Sequence, residues 1–356
     1  MESRGRVGVV SMVLAAVTMF TCIAIAHTDS DLSLKADAAI DSLEHRGYRG
    51  SVLVDWDAGH VYHRDSGVEN NRHCMPSYWI ASITKQFTAV GVLLLHERKI
   101  LDIRDSIADY LPGVPFDKSG ITVFHLLTHT SGLRQQYAAD GIANREAALK
   151  ALLAPQLKTK PGEEFSYAND NYNLLAIILE ILSGQSYEAF IENEVMRPAG
   201  MTNSGFWGME IENGTCVPPV ATPLDEQAMK ANWGFRGATG MRASVRDLHA
   251  FMRALRNEKI LTKESVEMLQ GNHVTLRSGT EIGFNWFGQR NDDGIYMKFS
   301  RGQEAFGGNA VIFEYPYQGT VIIAATNAGP AESGEGPVEG WSRIAHKAMA
   351  EIFVPQ

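Results

Sequence analysis

Strand-like runs joined by turn residues lie near both ends of this chain and helix-like spacing lies between, and no other feature of the sequence restricts its fold as much. Ser51-Val-Leu-Val-Asp-Trp56, a turn at Asp57-Ala-Gly59 and His60-Val-Tyr62 read as one β-hairpin. Ala310 to Tyr315, a turn at Pro316-Tyr-Gln-Gly319, and Thr320 to Ala325 read as a second. Between them, Phe87, Val90, Leu93 and Leu94 recur at helical spacing, and the apolar run Asn171 to Ser183 stops at Gly184. Ser244 to Leu255 opens with a capping serine and carries Asp247 at the third helical position. A last helix is predicted from about Val338 to Phe353. This order predicts an α/β fold of the α+β type. Its antiparallel sheet comes from both chain ends, about residues 35–100 and 280–356, flanked by helices, with a mostly helical insert at about 101–257. The 356 residues, 45% of them hydrophobic, are enough for one large domain or two smaller ones. The shared sheet makes residues 27–356 one domain.

The first 26 residues read separately. Arg4 and Arg6 precede an apolar run from Val7 to Ala26 that ends in Ala24-Ile25-Ala26, the pattern of a cleaved export signal. The run is long enough for an uncleaved membrane anchor to be the alternative. Either way the body of the protein is expected outside the cytoplasm, periplasmic or secreted. Net charge is −9, and −10 without that segment. An acidic chain with no basic stripe has no electrostatic footprint for nucleic acid. Cys74 and Cys216 remain beyond the signal; their pairing cannot be read from sequence, and Cys74 reads most simply as a small buried apolar residue.

Ser82-Ile-Thr-Lys85 places a hydroxyl and an amine three residues apart, on one face if the segment is helical. A serine hydroxyl needs a neighbour to take its proton before it attacks, and a desolvated lysine can do so. The bland reading of the same tetrapeptide is a capping serine followed by a surface lysine. His125 and His129 have the spacing of two zinc ligands on a helix, but Leu126 replaces the glutamate of a metalloprotease and no third ligand stands out. No metal and no organic cofactor are expected. Gly-x-Ser-x-Gly is absent from the chain, which disfavours an α/β-hydrolase.

Four segments in order carry a resemblance: Ser82-Ile-Thr-Lys85, His125-Leu-Leu-Thr-His-Thr-Ser-Gly-Leu133, Tyr167-Ala-Asn169, and Gly237-Ala-Thr-Gly-Met241 ahead of Ser244 to Leu248. With them, residues 35–353 resemble the penicillin-recognising serine hydrolases, the group of class C β-lactamases, D-Ala-D-Ala carboxypeptidases and family VIII esterases. The resemblance implies a β-lactamase/transpeptidase-like fold. It implies that Ser82 is the nucleophile, Lys85 accepts or relays its proton, Tyr167 shuttles a proton, and Asn169 binds substrate and steadies Lys85. The Ser82 N–H would give one oxyanion donor and the Gln303 N–H the second. The chain departs from the family at its third motif. Where Lys or His, one residue, then Gly is usual, it has Ser300-Arg301-Gly302. Neighbours on a strand face opposite sides, so Arg301 replaces the lost cation only through a bulge. That cation normally meets a substrate carboxylate, so ester cleavage survives its loss better than β-lactamase or carboxypeptidase action. The expected partner is a small ester, β-lactam or D-Ala peptide. The alternative is a penicillin- or peptidoglycan-binding protein with little or no turnover.

Overall fold

The strand Thr320–Thr326 is buried at every position, so it must run between two layers that both exclude water. In the computed structural model it lies inside an eight-stranded sheet. The described residues are 30–57, 59–67, 74–209, 215–216, 218, 232–303, 307–327 and 340–355. Residues 1–26, expected to be an export signal or anchor, and the predicted start of the last helix at Val338 lie outside them. The sheet contains β1 (Ser51–Trp56), β2 (His60–Asp65), β3 (Val274–Thr275), β4 (Glu281–Ile282), β5 (Phe287–Arg290), β6 (Tyr296–Gln303), β7 (Asn309–Tyr315) and β8 (Thr320–Thr326). Their spatial order is β2-β1-β8-β7-β6-β5-β4-β3, and every neighbouring pair is antiparallel. The two predicted hairpins meet at the β1–β8 seam, where Ser51 pairs with Ala325 and Asp55 with Val321.

Six helices set the layers: α1 (residues 30–45), then α2 (Thr84–Glu97), α3 (Val123–Leu127), α4 (Asn169–Ser183), α5 (Val245–Arg256) and α6 (Trp341–Phe353). Side chains alternate across each strand. On β1, Val52 and Val54 join Ala36 and Ile40 of α1 and Trp341 and Ala345 of α6, whereas Leu53 faces the other core with Phe87 and Val90 of α2. Helix α2 is buried from Thr84 to Leu95, which fits a helix with apolar residues on nearly every side. Ser244 caps α5 by accepting the Asp247 N–H at 3.1 Å, as expected. Helix α4 ends at Gly184, whose φ of +70° closes a left-handed cap.

Three local expectations are corrected. The helix at Ser82 starts later: Ala81–Ile83 is a 3₁₀ turn and α2 begins at Thr84, so Ser82 is not a helix cap. The middle region contains a strand, Met241–Ala243, paired with Tyr78–Trp79 and Gly205–Phe206 in a small second sheet. Three residues are too few for alternation to show in sequence. Cys74 is bonded to Cys216 rather than being a buried thiol, beside the parallel pairing of Met75 with Thr215.

The disulfide closes a loop of 142 residues. Crosslinks over long loops restrict the unfolded chain most, so Cys216→Ser is expected to lower stability by about 2–4 kcal/mol in urea unfolding. An unchanged midpoint in the variant, with and without reductant, would contradict this.

Candidate active site

Ala81 has a φ of +46°, a left-handed conformation that costs a side-chain-bearing residue about 1–3 kcal/mol. The turn persists because its surroundings hold it from several directions. The Ile80 N–H donates to the Met241 carbonyl at 3.1 Å. The Asn285 amide donates to the Ser82 carbonyl at 3.0 Å, and the Gln86 amide donates to the Asn285 carbonyl at 2.7 Å. Strand β6 presses on the turn at Gly302, where a Cβ would stand 2.1 Å from the Ile80 oxygen and 2.6 Å from the Ser82 nitrogen. Only a glycine allows that approach. The result is a Ser82 hydroxyl raised into the partly exposed cleft while Ala81 and Ile83 are buried.

Lys85 reaches Ser82 from the first turn of α2. Its Nζ donates to Ser82 Oγ at 3.1 Å, to Asn169 Oδ1 at 2.8 Å and to the Ala238 carbonyl at 3.0 Å. An ammonium has three donors and here finds three acceptors, which is how a fully buried lysine is tolerated. Tyr167 approaches from the opposite side, its hydroxyl donating to Ser82 Oγ at 2.8 Å. The Lys85 Nζ lies 5.0 Å from the centre of the Tyr167 ring. Tyr167 is partly exposed and Lys85 is not, so of the two only the phenol is open to a molecule in the cleft. Asn169 is the first residue of α4 rather than its cap, and its N–H donates to the Gln135 side chain.

The third motif splits across the sheet. Strands β6 and β7 pair without a bulge from Lys298–Glu314 to Gln303–Asn309. Ser300, fully buried, lies 3.4 Å from the Asn285 amide and shares the Ser82 face with Gly302. Arg301, expected to bind substrate, lies on the other face of β6. It lines a cleft beneath α6 with Arg343, His346 and Lys347, although its charge is still felt at Tyr167. Gln303 is exposed at the end of β6. No cation takes the place of Ser300 beside Asn285 among the described residues.

His125 and His129 do not converge on a metal. His125 forms a reciprocal cap with Thr122 at the start of α3, and His129 is buried against the Tyr167 ring. Sequence reasoning missed Asn285, Gln135 and the Ala238 carbonyl. Ala238 falls inside the Gly237–Met241 segment singled out from sequence, but a carbonyl acceptor leaves no mark on residue identity.

The sequence model of the family described as Beta-lactamase matches residues 36–339. Penicillin-binding protein 4* of Bacillus subtilis (strain 168) is 29% identical over 274 residues, 68% of this chain and 60% of that protein. The chain therefore spans less than two thirds of that relative. The octameric penicillin-binding protein homologue from Pyrococcus abyssi superposes with a TM-score of 0.73 at 25% identity, over 90% of this chain and 77% of that one. D-amino acid amidase from Ochrobactrum anthropi SV3, complexed with D-phenylalanine, gives 0.73 at 19% identity, over 90% and 98%. That last likeness is one of fold.

Gly302→Ala is expected to force β6 away from the Ser82 turn and to cost about 1–3 kcal/mol, read from urea unfolding. Wild-type stability in this variant would show that the strand does not press on the turn.

Proposed function

The chain belongs to the Beta-lactamase family, and from that premise we propose that it is an exported serine hydrolase that cleaves an ester or amide lacking a carboxylate at the reacting end. The observation that carries the reading is the double hold on Ser82 Oγ, by Lys85 Nζ at 3.1 Å and by the Tyr167 oxygen at 2.8 Å. In its reactive form the pair carries one proton fewer than a charged lysine beside a neutral phenol, so Oγ donates to the deprotonated member, and because the two are coupled that vacancy belongs to the pair as a unit. Oγ attacks the substrate carbonyl carbon, the C=O π pair moves onto oxygen, and the Ser82 proton passes to the Lys85–Tyr167 pair. The Ser82 N–H, at the start of its turn and outside any helical bond of that turn, stabilises the oxyanion, with the Gln303 N–H as its partner. Collapse of the intermediate breaks the bond to the leaving group, which receives the proton from Tyr167, the exposed member of the pair. Water then attacks the acyl-Ser82 ester, and the same pair takes its proton and returns it to Oγ. Asn169 holds Lys85 in place through its side-chain oxygen.

The substrate preference rests on the third motif. Ser300 and Asn285 are neutral, Arg301 lies on the far side of the strand, and Lys298, on the same face as Ser300, lines a different cleft with Glu281 and Tyr296, so no described cation stands beside Ser300 to pair with a carboxylate. Export rests on the N-terminal pattern and is supported by the Cys74–Cys216 bond, a linkage that persists in oxidising compartments.

Turnover of p-nitrophenyl acetate and butyrate, nitrocefin and a D-Ala-D-Ala peptide by the wild type and by Ser82→Ala tests this. The esters are expected to be the best substrates, with Ser82→Ala slower by more than about a thousandfold. Full activity in Ser82→Ala refutes the mechanism. Stoichiometric labelling by a fluorescent penicillin with no turnover of any substrate would assign the chain instead to penicillin or peptidoglycan binding.

A further inference from the structure

We infer that His129 is the positioning residue for the Tyr167 phenol and that it acts as a neutral imidazole. The inference rests on the reading of Tyr167 as the proton carrier. His129 is fully buried and has a φ of +57°, and three holds on the Tyr167 segment originate from it. Its carbonyl accepts the Ser166 N–H at 2.8 Å. Its Nδ1 accepts the Ala168 N–H at 3.3 Å. Its ring lies against the phenol ring, with centroids 4.4 Å apart and 31° between the planes. Tyr167 is thus bracketed along the backbone on both sides and supported on its face by one residue. Residues 164–168 belong to no helix or strand, so this bracket supplies bonds that regular structure does not.

The protonation state follows from the neighbours. Asn171 turns its amide nitrogen to Nδ1 at 3.1 Å because its oxygen is taken by the Ser131 hydroxyl at 2.6 Å. Two donors therefore converge on Nδ1, and the single ring proton belongs on Nε2. A proton on Nδ1 would face both donors. Burial and the charge of Lys85 also hold the imidazolium form down. The His129 side chain also neighbours that of Asn285, which holds the Ser82 carbonyl, and Nε2 has no hydrogen-bond partner among the described residues. One neutral ring thus stands between the group that carries the proton and the group that fixes the nucleophile's turn. A charged ring there would add a second cation beside Lys85.

The test compares His129→Phe, which keeps a ring but no acceptor, with His129→Asn, which keeps an acceptor near the Nδ1 position and tolerates positive φ. Both are measured on p-nitrophenyl butyrate, alone and combined with Tyr167→Phe, with folding checked by circular dichroism and melting. His129→Phe is expected to lower kcat about a hundredfold, the cost of roughly 1 Å of misplacement, while KM moves less than about threefold. His129→Asn is expected to stay within about tenfold of wild type. In the Tyr167→Phe background, His129→Phe is expected to add almost nothing, because the group it positions is gone. A full penalty in that background, or wild-type kcat in folded His129→Phe, overturns the inference. If His129→Phe does not fold, folded His129→Asn decides alone, and a loss in kcat beyond about a hundredfold overturns the inference. Wild-type kcat in Tyr167→Phe would instead remove the reading of Tyr167 beneath it.

Discussion

Everything near the cleft depends on giving the buried ammonium of Lys85 three acceptors. Removing one partner of a buried charge costs about 3–5 kcal/mol, a large share of what holds a domain together. The acceptors come from three separate segments: the turn at Ser82, the first residue of α4, and the loop at Ala238. Satisfying the charge therefore forces α2, α4 and the 237–241 stretch to converge. Thr88 reinforces this one turn further along α2, donating to the Gly237 carbonyl at 2.7 Å. The requirement that stabilises the fold is the same one that places an amine against a serine hydroxyl.

The parity of strand β6 decides what chemistry the opposite wall offers. Its pleat puts Ser300 and Gly302 toward Ser82, and Met297, Phe299 and Arg301 toward α6. On that outer face the rings of Phe287, Phe299, Phe313 and His346 stack in a row across three strands and onto the helix. Such packing ties the register to a whole layer of core. Shifting β6 by one residue to bring Arg301 inward would expose that apolar row and bury a charge in its place. The wall is neutral at Ser300 because of that residue's identity, and the outer core keeps Arg301 from making up for it.

Sequence carried the parts whose cause is local. The short β-branched apolar runs in Ser51–Trp56 and Thr320–Ala325, each beside turn residues, are a local signal, and they located two adjoining strands of the sheet. The capping pattern of Ser244 and Asp247 and the stop at Gly184 are equally local. The pairing of Ser82 with Lys85 was visible as a spacing, although its frame was misread: the serine stands in a 3₁₀ turn with a left-handed Ala81 before it. Tyr167 and Asn169 became visible only through resemblance, because they lie far along the chain from Ser82. Asn285 was not visible at all. It sits at φ +58° in a loop, belongs to no periodic pattern, and acts on Ser82 through a backbone carbonyl. The same holds for Cys74 with Cys216, since two cysteines in sequence do not say whether their Cα atoms will come within reach.

The β1–β8 seam has a consequence for how the protein comes into being. Ser51 leaves the ribosome long before Ala325, its partner in the sheet. At about 5–20 residues per second the wait is on the order of tens of seconds. Through that interval β1 and β2 have no central strand to join, and the turn at Ser82 has no β6 to hold it. The serine, lysine and tyrosine are all synthesised before the strand that shapes their cleft. The cleft is therefore complete only once β6 has docked against the Ser82 turn.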